Sequence, residues 1–196
     1  MARTKTAVSL DTKRRIADAA LEQFHLKGYN GTSVQDLMSA VGAPKGTFYN
    51  HFASKEALAV DALRRYGDGF GLAALADAGS GTPRERIDRH LAGLMASGLT
   101  VAAEKGCLMA NLAGEVPAHS ATVASAIGDF LLLWTATLAG AIDEAKAAGE
   151  LTSDIPSGDL AEFIVNAWEG GAVKSKATSS NESVRTFERM VALLLR

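Results

Sequence analysis

Residues 31–58 read GTSVQDLMSAVGAPKGTFYNHFASKEAL. In the first half of this stretch, apolar residues recur at the spacing of one helical face, at Val34, Leu37, Met38 and Val41. Gly42 follows where a tight turn needs a positive φ angle. Pro44 suits the first turn of a second helix, because the N–H that proline lacks is not needed there. We therefore predict two helices, at 33–41 and 44–50, joined in a helix-turn-helix.

Hydrogen-bond donors crowd the second of these helices and its exit. Phe48 is predicted to face inward, and the donors around it are Lys45, Thr47, Tyr49, Asn50 and His51. A short helix that exposes donors in this way can read base edges in a DNA groove. The pattern also suits a helical hairpin that binds another protein, so both functions stay open at this point.

Helical signals continue on both sides of this stretch. One apolar face predicts a helix from Asp11 to Lys27, and Ser54 caps a further helix that we expect to reach about Ala78. After a glycine-rich break, later helices are expected at about 83–103, 107–114, 119–148, 158–176 and 181–195. We predict an all-α fold of about nine helices, with a three-helix helix-turn-helix domain at 1–53, a helical-bundle domain at 54–196 and the helix at 54–78 as connector.

The charge is distributed unevenly along the chain. Residues 1–66 hold ten Lys and Arg against six Asp and Glu, a net charge of +4, whereas the remaining residues carry a net charge of −6. A basic N-terminal part on an acidic body suits contact with phosphates at one end only. Chance clustering explains the asymmetry about as well, so charge alone does not decide for nucleic acid.

Composition argues against several other classes of protein. No uninterrupted apolar run reaches the roughly 18 to 20 residues that a membrane span needs, and the N-terminus lacks the apolar block of a secretory signal. A single cysteine, Cys107, excludes an internal disulfide, and the histidines lack metal-ligand spacing. We therefore expect a cytoplasmic protein without membrane contact, metal or cofactor. An enzyme that uses Cys107 as its nucleophile would have no histidine near it in the sequence.

The pattern GxSVxxLxxxVGxxKGTFYxHFxxKExL, from Gly31 to Leu58, resembles the signature of TetR-family regulators. The resemblance implies a homodimer that binds near-palindromic double-stranded operator DNA and responds to a small-molecule effector. It implies DNA phosphate contacts for Ser33, Tyr49, His51 and Lys55. It implies contacts with base edges or thymine methyl groups for Gln35, Lys45, Gly46, Thr47 and Asn50.

Simpler roles compete for some of these residues. Ser33 can do no more than cap its helix, His51 can be a solvated histidine, and Tyr49 can be a packing residue. Lys45 can contact a phosphate and no base. Phe52 is expected to pack. Asn50 stands where many relatives carry an aromatic residue, which leaves the operator preference open. A repressor is the first expectation, although the sequence does not exclude an activator.

The C-terminal part is expected to hold the effector. Members of the family keep a ligand cavity among their middle helices, and the candidate lining residues here are His90, Leu91, Leu94, Met95, Cys107, Phe130, Trp134, Phe163 and Trp168. A plain hydrophobic core is the alternative for each of them. The last two helices carry more apolar residues than one buried face needs, which suits their implied pairing with symmetry mates in a dimer.

Cys107 carries a second hypothesis about the signal. It opens the helix predicted at 107–114, where the positive end of a helix can stabilise a thiolate. The segment Gly106–Glu115 resembles the electrophile- and aldehyde-responsive branch of the family, and Lys174 and Lys176 are candidate nitrogen neighbours. The leading prediction is a repressor released by a small-molecule effector. The alternative is a thiol-based sensor in which covalent modification of Cys107 is the release signal, and the simplest role is a small buried hydrophobe.

Overall fold

The structure is a computed structural model that describes residues 5–116, 118 and 120–196. All regular elements in this part of the chain are helical, which confirms the predicted all-α fold. The α-helices in chain order are α1 (Lys5–Lys27), α2 (Val34–Ala40), α3 (Lys45–Phe48), α4 (Lys55–Asp68), α5 (Leu72–Ala76), α6 (Pro83–Ser97), α7 (Ala103–Lys105), α8 (Leu108–Ala113), α9 (Ala121–Ala147), α10 (Ser157–Thr178) and α11 (Glu182–Leu194).

Two of the predicted helices divide where a glycine intervenes. The helix expected to reach about Ala78 ends at Asp68, because Gly71 adopts the left-handed conformation (φ +70°) and becomes the N-cap of α5. The helix expected over 83–103 passes through a π-helical turn, Gly98–Ala102, between α6 and α7. A Cβ atom at Gly98 would stand 2.7 Å from the Trp168 ring, so the close packing at this turn requires glycine.

The chain forms two compact units. The first comprises the chain up to Tyr66 together with Asn111–Ile127, and the second comprises Gly67–Ala110 and Gly128–Arg196. Helices α4, α8 and α9 each begin in one unit and end in the other. The N-terminal unit therefore includes a segment that lies far along the chain.

The first unit buries one face of each of its helices. Apolar side chains of α1 recur at helical spacing, and those of α2, α3 and α4 complete the buried set: Ile16, Ala20, Phe24, Leu37, Met38, Phe48, Leu58 and Ala62. Burying a large apolar side chain contributes roughly 1.5–3 kcal/mol. This burial holds the short helix α3 in place, since four residues form no stable helix alone.

The second unit has its own core, built from α6, α9, α10 and α11. Its largest buried residues include Ile87, Leu91, Leu94, Trp134, Leu138, Ile164, Trp168 and Phe187. By length and mean hydropathy α9 could cross a membrane, although polar residues such as Asp129 and Thr135 interrupt its apolar sequence. Within this unit, α9 uses one face to pack against the core.

Candidate DNA-binding and effector sites

A capping box fixes the start of α2. The Ser33 Oγ accepts a hydrogen bond from the Asp36 amide at 3.1 Å, and the Asp36 carboxylate accepts one from the Ser33 amide at 3.0 Å. Ser33 Oγ also donates to Asp36 Oδ2 at 2.6 Å. The Ser33 side chain, followed by its backbone, lowers the pKa of Asp36. Ser33 thus caps α2, and Asp36 completes the capping box.

A tight turn and a buried anchor set the position of α3. Gly42 has a φ angle of +67°, as predicted for this turn. Helix α3 begins one residue later than predicted, because Pro44 is its N-cap and not part of its first turn. It ends at Phe48, two residues before the predicted end. The Phe48 side chain is completely buried and packs against Phe52, with 5.9 Å between ring centroids.

The predicted DNA-contacting residues lie on the outside of this anchored pair of helices. Tyr49 is 60% exposed and packs edge-on against Phe48 at 5.2 Å between centroids. Space around Gly46 is open, since a Cβ atom there would meet nothing within 4 Å. The exposed members of the set are Ser33, Gln35, Lys45, Gly46, Tyr49 and Asn50, and the half-buried ones are Thr47, His51 and Lys55. The arrangement presents donors on a rigid base.

Lys55, at the start of α4, makes contacts that the sequence did not predict. Its Nζ donates a hydrogen bond to the Tyr29 carbonyl at 2.5 Å and lies 4.0 Å from the centroid of the Tyr29 ring. Burial lowers the pKa of Lys55, although the negative charges of Glu115 and Asp36 oppose this effect. An ammonium has three N–H donors, so two remain for other acceptors.

Glu115 makes contacts that the sequence did not predict either. Its carboxylate accepts hydrogen bonds from the backbone amides of Tyr29, at 2.8 Å, and Asn30, at 2.5 Å. These contacts join residues about 85 positions apart in the chain. No short motif could have predicted them, because nothing local marks Glu115 as different from any other acidic residue near a helix end.

In the second unit, an aromatic cluster surrounds His90. Trp134 Nε1 donates to His90 Nε2 at 2.8 Å, so His90 Nδ1 must carry the proton that it donates to the Phe70 carbonyl at 3.0 Å. Burial lowers the pKa of His90 to about 4, and the imidazole is therefore neutral at neutral pH. Phe130 and Phe70 contact each other and Trp134, with centroid separations of 4.8–6.2 Å.

Cys107 lies directly before α8 and is almost completely buried. Its Sγ donates a hydrogen bond to Glu169 Oε1 at 3.3 Å. Burial raises the pKa of Glu169 to about 7, and the hydrogen bond from Cys107 partly opposes this shift. The second oxygen, Oε2, is buried without a hydrogen-bond partner in the described part of the chain. Glu169 follows Trp168 on the edge of an apolar helical face, a signal that could have identified it.

Most of the predicted effector residues lie together, whereas Cys107 and Phe163 lie outside the cluster. Leu91, Leu94, Trp134 and Trp168 belong to one buried cluster, against which Met95 and Phe130 pack. Phe163 is 52% exposed and lines a surface groove between α10 and α11, outside this buried cluster. Lys174 lines the same groove. Phe163 precedes the buried Ile164, and a helix turns by 100° per residue, which carries its side chain to the outside.

Comparison with known proteins gives a consistent picture over nearly the whole chain. Residues 16–62 match the family described as bacterial regulatory proteins, tetR family, and residues 83–191 match a tetracyclin repressor-like C-terminal domain. The chain is 26% identical to the HTH-type transcriptional repressor DhaR of Mycobacterium sp. (strain GP1), over 91% of this chain and 89% of that protein. It is 31% identical to the transcriptional regulator AcuR of Cereibacter sphaeroides, over 87% of this chain and 79% of that protein. The crystal structure of Escherichia coli NemR in its reduced form superimposes with a TM-score of 0.84 at 25% identity, covering 95% of this chain and 97% of that one.

Proposed function

The chain belongs to the TetR family of DNA-binding transcriptional repressors, and we propose that it binds a near-palindromic double-stranded operator as a homodimer and leaves it when a small-molecule effector binds. Residues 1–53 serve as the DNA-binding domain and 54–196 as the effector-binding and dimerisation domain. The protein acts in the cytoplasm and needs no cofactor. The observation that carries this proposal is the row of exposed donors around the completely buried anchor Phe48.

Two groups of residues divide the work of DNA binding. Ser33, Tyr49, His51 and Lys55 contact phosphates, and Lys55 has donors to spare for this after bonding to Tyr29. The residues that face bases are Gln35, Lys45, Gly46, Thr47 and Asn50. Gln35 suits the paired donor and acceptor of adenine, and Lys45 suits the acceptors of guanine.

The assignment of phosphate contacts is tested by measuring, at several salt concentrations, how the protein binds the DNA upstream of its own gene. The wild-type protein should bind that DNA with an affinity that falls steeply as salt rises. Lys55→Ala should weaken binding to all sequences about equally and make the salt slope shallower by about one charge. A chain that binds no DNA at low salt would instead favour the protein-binding hairpin.

The dimer interface is proposed at α10 and α11. These helices leave large apolar side chains partly exposed, at Phe163 (52%), Val173 (50%), Met190 (44%) and Leu193 (47%). Such a surface is what a symmetry mate would cover. Leu193→Glu should give monomers in sedimentation and abolish operator binding, whereas Ile155→Glu, in the loop before α10, should leave a dimer. A wild-type protein that sediments as a monomer at micromolar concentration would contradict the proposal.

The effector is proposed to bind in the second unit, beside its aromatic cluster. The candidate lining residues there are His90, Leu91, Leu94, Met95, Phe130, Trp134 and Trp168, which are buried or half-buried and largely apolar. His90 is neutral, and both of its ring nitrogens already have partners. The lining therefore favours a mainly apolar, uncharged molecule.

Covalent modification of Cys107 is the second candidate signal, and its contact with Glu169 favours it. Addition of Sγ to a quinone carbon forms a C–S bond and breaks the C=C π bond, whose electron pair moves to the quinone oxygen. The thiol proton passes to that oxygen by way of the ionised form of Glu169, whose Oε1 lies 3.3 Å from Sγ. The similarity to NemR, which has been crystallised in a reduced form, fits an electrophile-responsive branch.

A quinone tests this second candidate. It should release wild-type protein from the operator and leave Cys107→Ser bound. Equal release of both proteins would rule out the covalent signal and leave the reversible effector.

A further inference from the structure

The turn between α1 and α2, residues 28–31, is held from outside by one carboxylate. Glu115 accepts hydrogen bonds from two consecutive backbone amides of this turn, those of Tyr29 and Asn30, one with each of its oxygens. Hydrogen bonds to an ionised acceptor are about twice as strong as neutral ones. The Lys55 ammonium donates to the Tyr29 carbonyl in the same turn, so opposite charges hold the two sides of the Tyr29–Asn30 peptide group.

The backbone of the turn is shaped to accept this carboxylate. Gly28 has a φ angle of +77°, and a Cβ atom there would stand 2.4 Å from Glu115 Oε2. Any side chain at position 28 would therefore displace the carboxylate in addition to straining the backbone. The absence of a side chain on Gly28 gives Glu115 access to the turn.

Glu115 itself is fixed by the end of α8. Its amide donates to the Leu112 carbonyl at 3.1 Å, and the Val116 amide donates to the same oxygen at 2.9 Å. The side chains of Leu112 and Val116 are completely buried. The carboxylate thus projects from an anchored segment, and this segment belongs to the same compact unit as the turn.

On this geometry we propose that Glu115 is a positioning residue for operator binding. It fixes the α1–α2 turn to the end of α8, and the turn leads within three residues to Ser33, the N-cap of α2. The two recognition helices of a dimer must stay roughly 34–36 Å apart to reach successive major grooves. Without the hydrogen bonds from Glu115 to the turn, this spacing would vary more. The proposal rests on the dimeric operator binding proposed above.

The test compares operators of different half-site spacing. The probe is the operator that the wild-type protein selects from random DNA, used unchanged and with one base pair inserted at its centre. The variant is Glu115→Gln, which keeps the shape of the side chain but cannot accept hydrogen bonds with both terminal atoms. Glu104→Gln, which alters an exposed glutamate on α7, is the matched control.

Glu115→Gln should lose roughly ten-fold in affinity for the unchanged operator and keep its salt slope, because no phosphate contact is removed. The loss of affinity caused by the inserted base pair should be smaller for this variant than for the wild type. Amide hydrogen exchange at Tyr29 and Asn30 should become faster. If Glu115→Gln proves unfolded, Glu115→Asp, which keeps the charge and shortens the reach, takes its place.

Two outcomes overturn different claims. If the folded variant keeps the wild-type penalty for the insertion, Glu115 only stabilises the turn and the positioning role is wrong, whatever its melting temperature. If the wild-type protein itself tolerates the insertion without loss, dimeric operator binding fails and this inference fails with it.

Discussion

The helix-turn-helix and the surroundings of Cys107 differ in how far apart along the chain their contacting residues lie. In the helix-turn-helix, the Ser33–Asp36 capping box and the positive φ angle of Gly42 act within a few residues. In the second unit, Cys107 bonds to Glu169, 62 residues away, and Trp134 bonds to His90, 44 residues away. Local rules thus shape the helices and the turn of the helix-turn-helix, which long-range contacts such as those of Glu115 then hold in place, whereas the contacts of the candidate effector site are long-range throughout.

The largest expected effect compares two adjacent aromatic residues, the buried Phe48 at the end of α3 and the exposed Tyr49 that follows it. Phe48→Ala removes a completely buried ring and should lower the free energy of unfolding by about 3–5 kcal/mol. Tyr49→Ala, at a 60% exposed position, should change stability by less than about 0.5 kcal/mol and still weaken operator binding. Urea denaturation and fluorescence anisotropy measure the two effects. If both variants lost similar stability, Tyr49 would be a structural residue like Phe48, and the two residues would not have separate roles.

The second prediction concerns the pH dependence of stability at Glu169. Folding raises the pKa of this carboxyl from 4.5 to about 7, so the folded state holds the proton more tightly than the unfolded state. Stability attributable to Glu169 is therefore lost as pH rises from about 4.5 to 7. At about 1.4 kcal/mol per pKa unit, the total is about 3 kcal/mol.

Glu169→Gln removes this titration. The variant should gain stability relative to the wild type as pH rises from 5 to 8, when both are measured by urea denaturation. Glu162→Gln, at an exposed position on the same helix, is the matched control. Taking the difference between proteins cancels the opposite acid sensitivity that the buried, neutral His90 confers. A difference that stays constant with pH would show that Glu169 is not held protonated.

The smallest effect compares two capping boxes of the same kind. Ser33 and Asp36 cap α2, and Thr82 and Glu85 cap α6. Ser33→Ala and Thr82→Ala should each cost about 1 kcal/mol of stability. Only Ser33→Ala should also reduce operator affinity, since its hydroxyl, which donates to Asp36 Oδ2 in the free protein, is proposed to donate to a phosphate when DNA binds. Equal operator affinity of the two variants would limit Ser33 to its capping role.

The same contrast explains how much could be predicted from the sequence. The helix-turn-helix, its turn and the inward position of Phe48 were predictable because spacing and turn chemistry act locally. The division of the fourth helix at Gly71 was missed, since a glycine near a helical pattern does not reveal its φ angle. The contacts of Glu115 and Glu169 could not be predicted because their partners are distant in the chain, although the place of Glu169 beside an apolar helical face could have marked it as a buried residue. Phe163 lies outside the buried cluster although its neighbour Ile164 belongs to it, because a helix turns by 100° per residue.

The central claim is that the exposed donors of α2 and α3 read an operator, and base preference at Lys45 tests it most directly. Binding of wild type and Lys45→Ala should be measured against a set of operators that covers every single-base substitution. The account predicts that Lys45→Ala loses discrimination of roughly 1–3 kcal/mol at one base pair of each half-site and keeps the preference elsewhere. Uniform weakening across all operators, with the base preference intact, would contradict it.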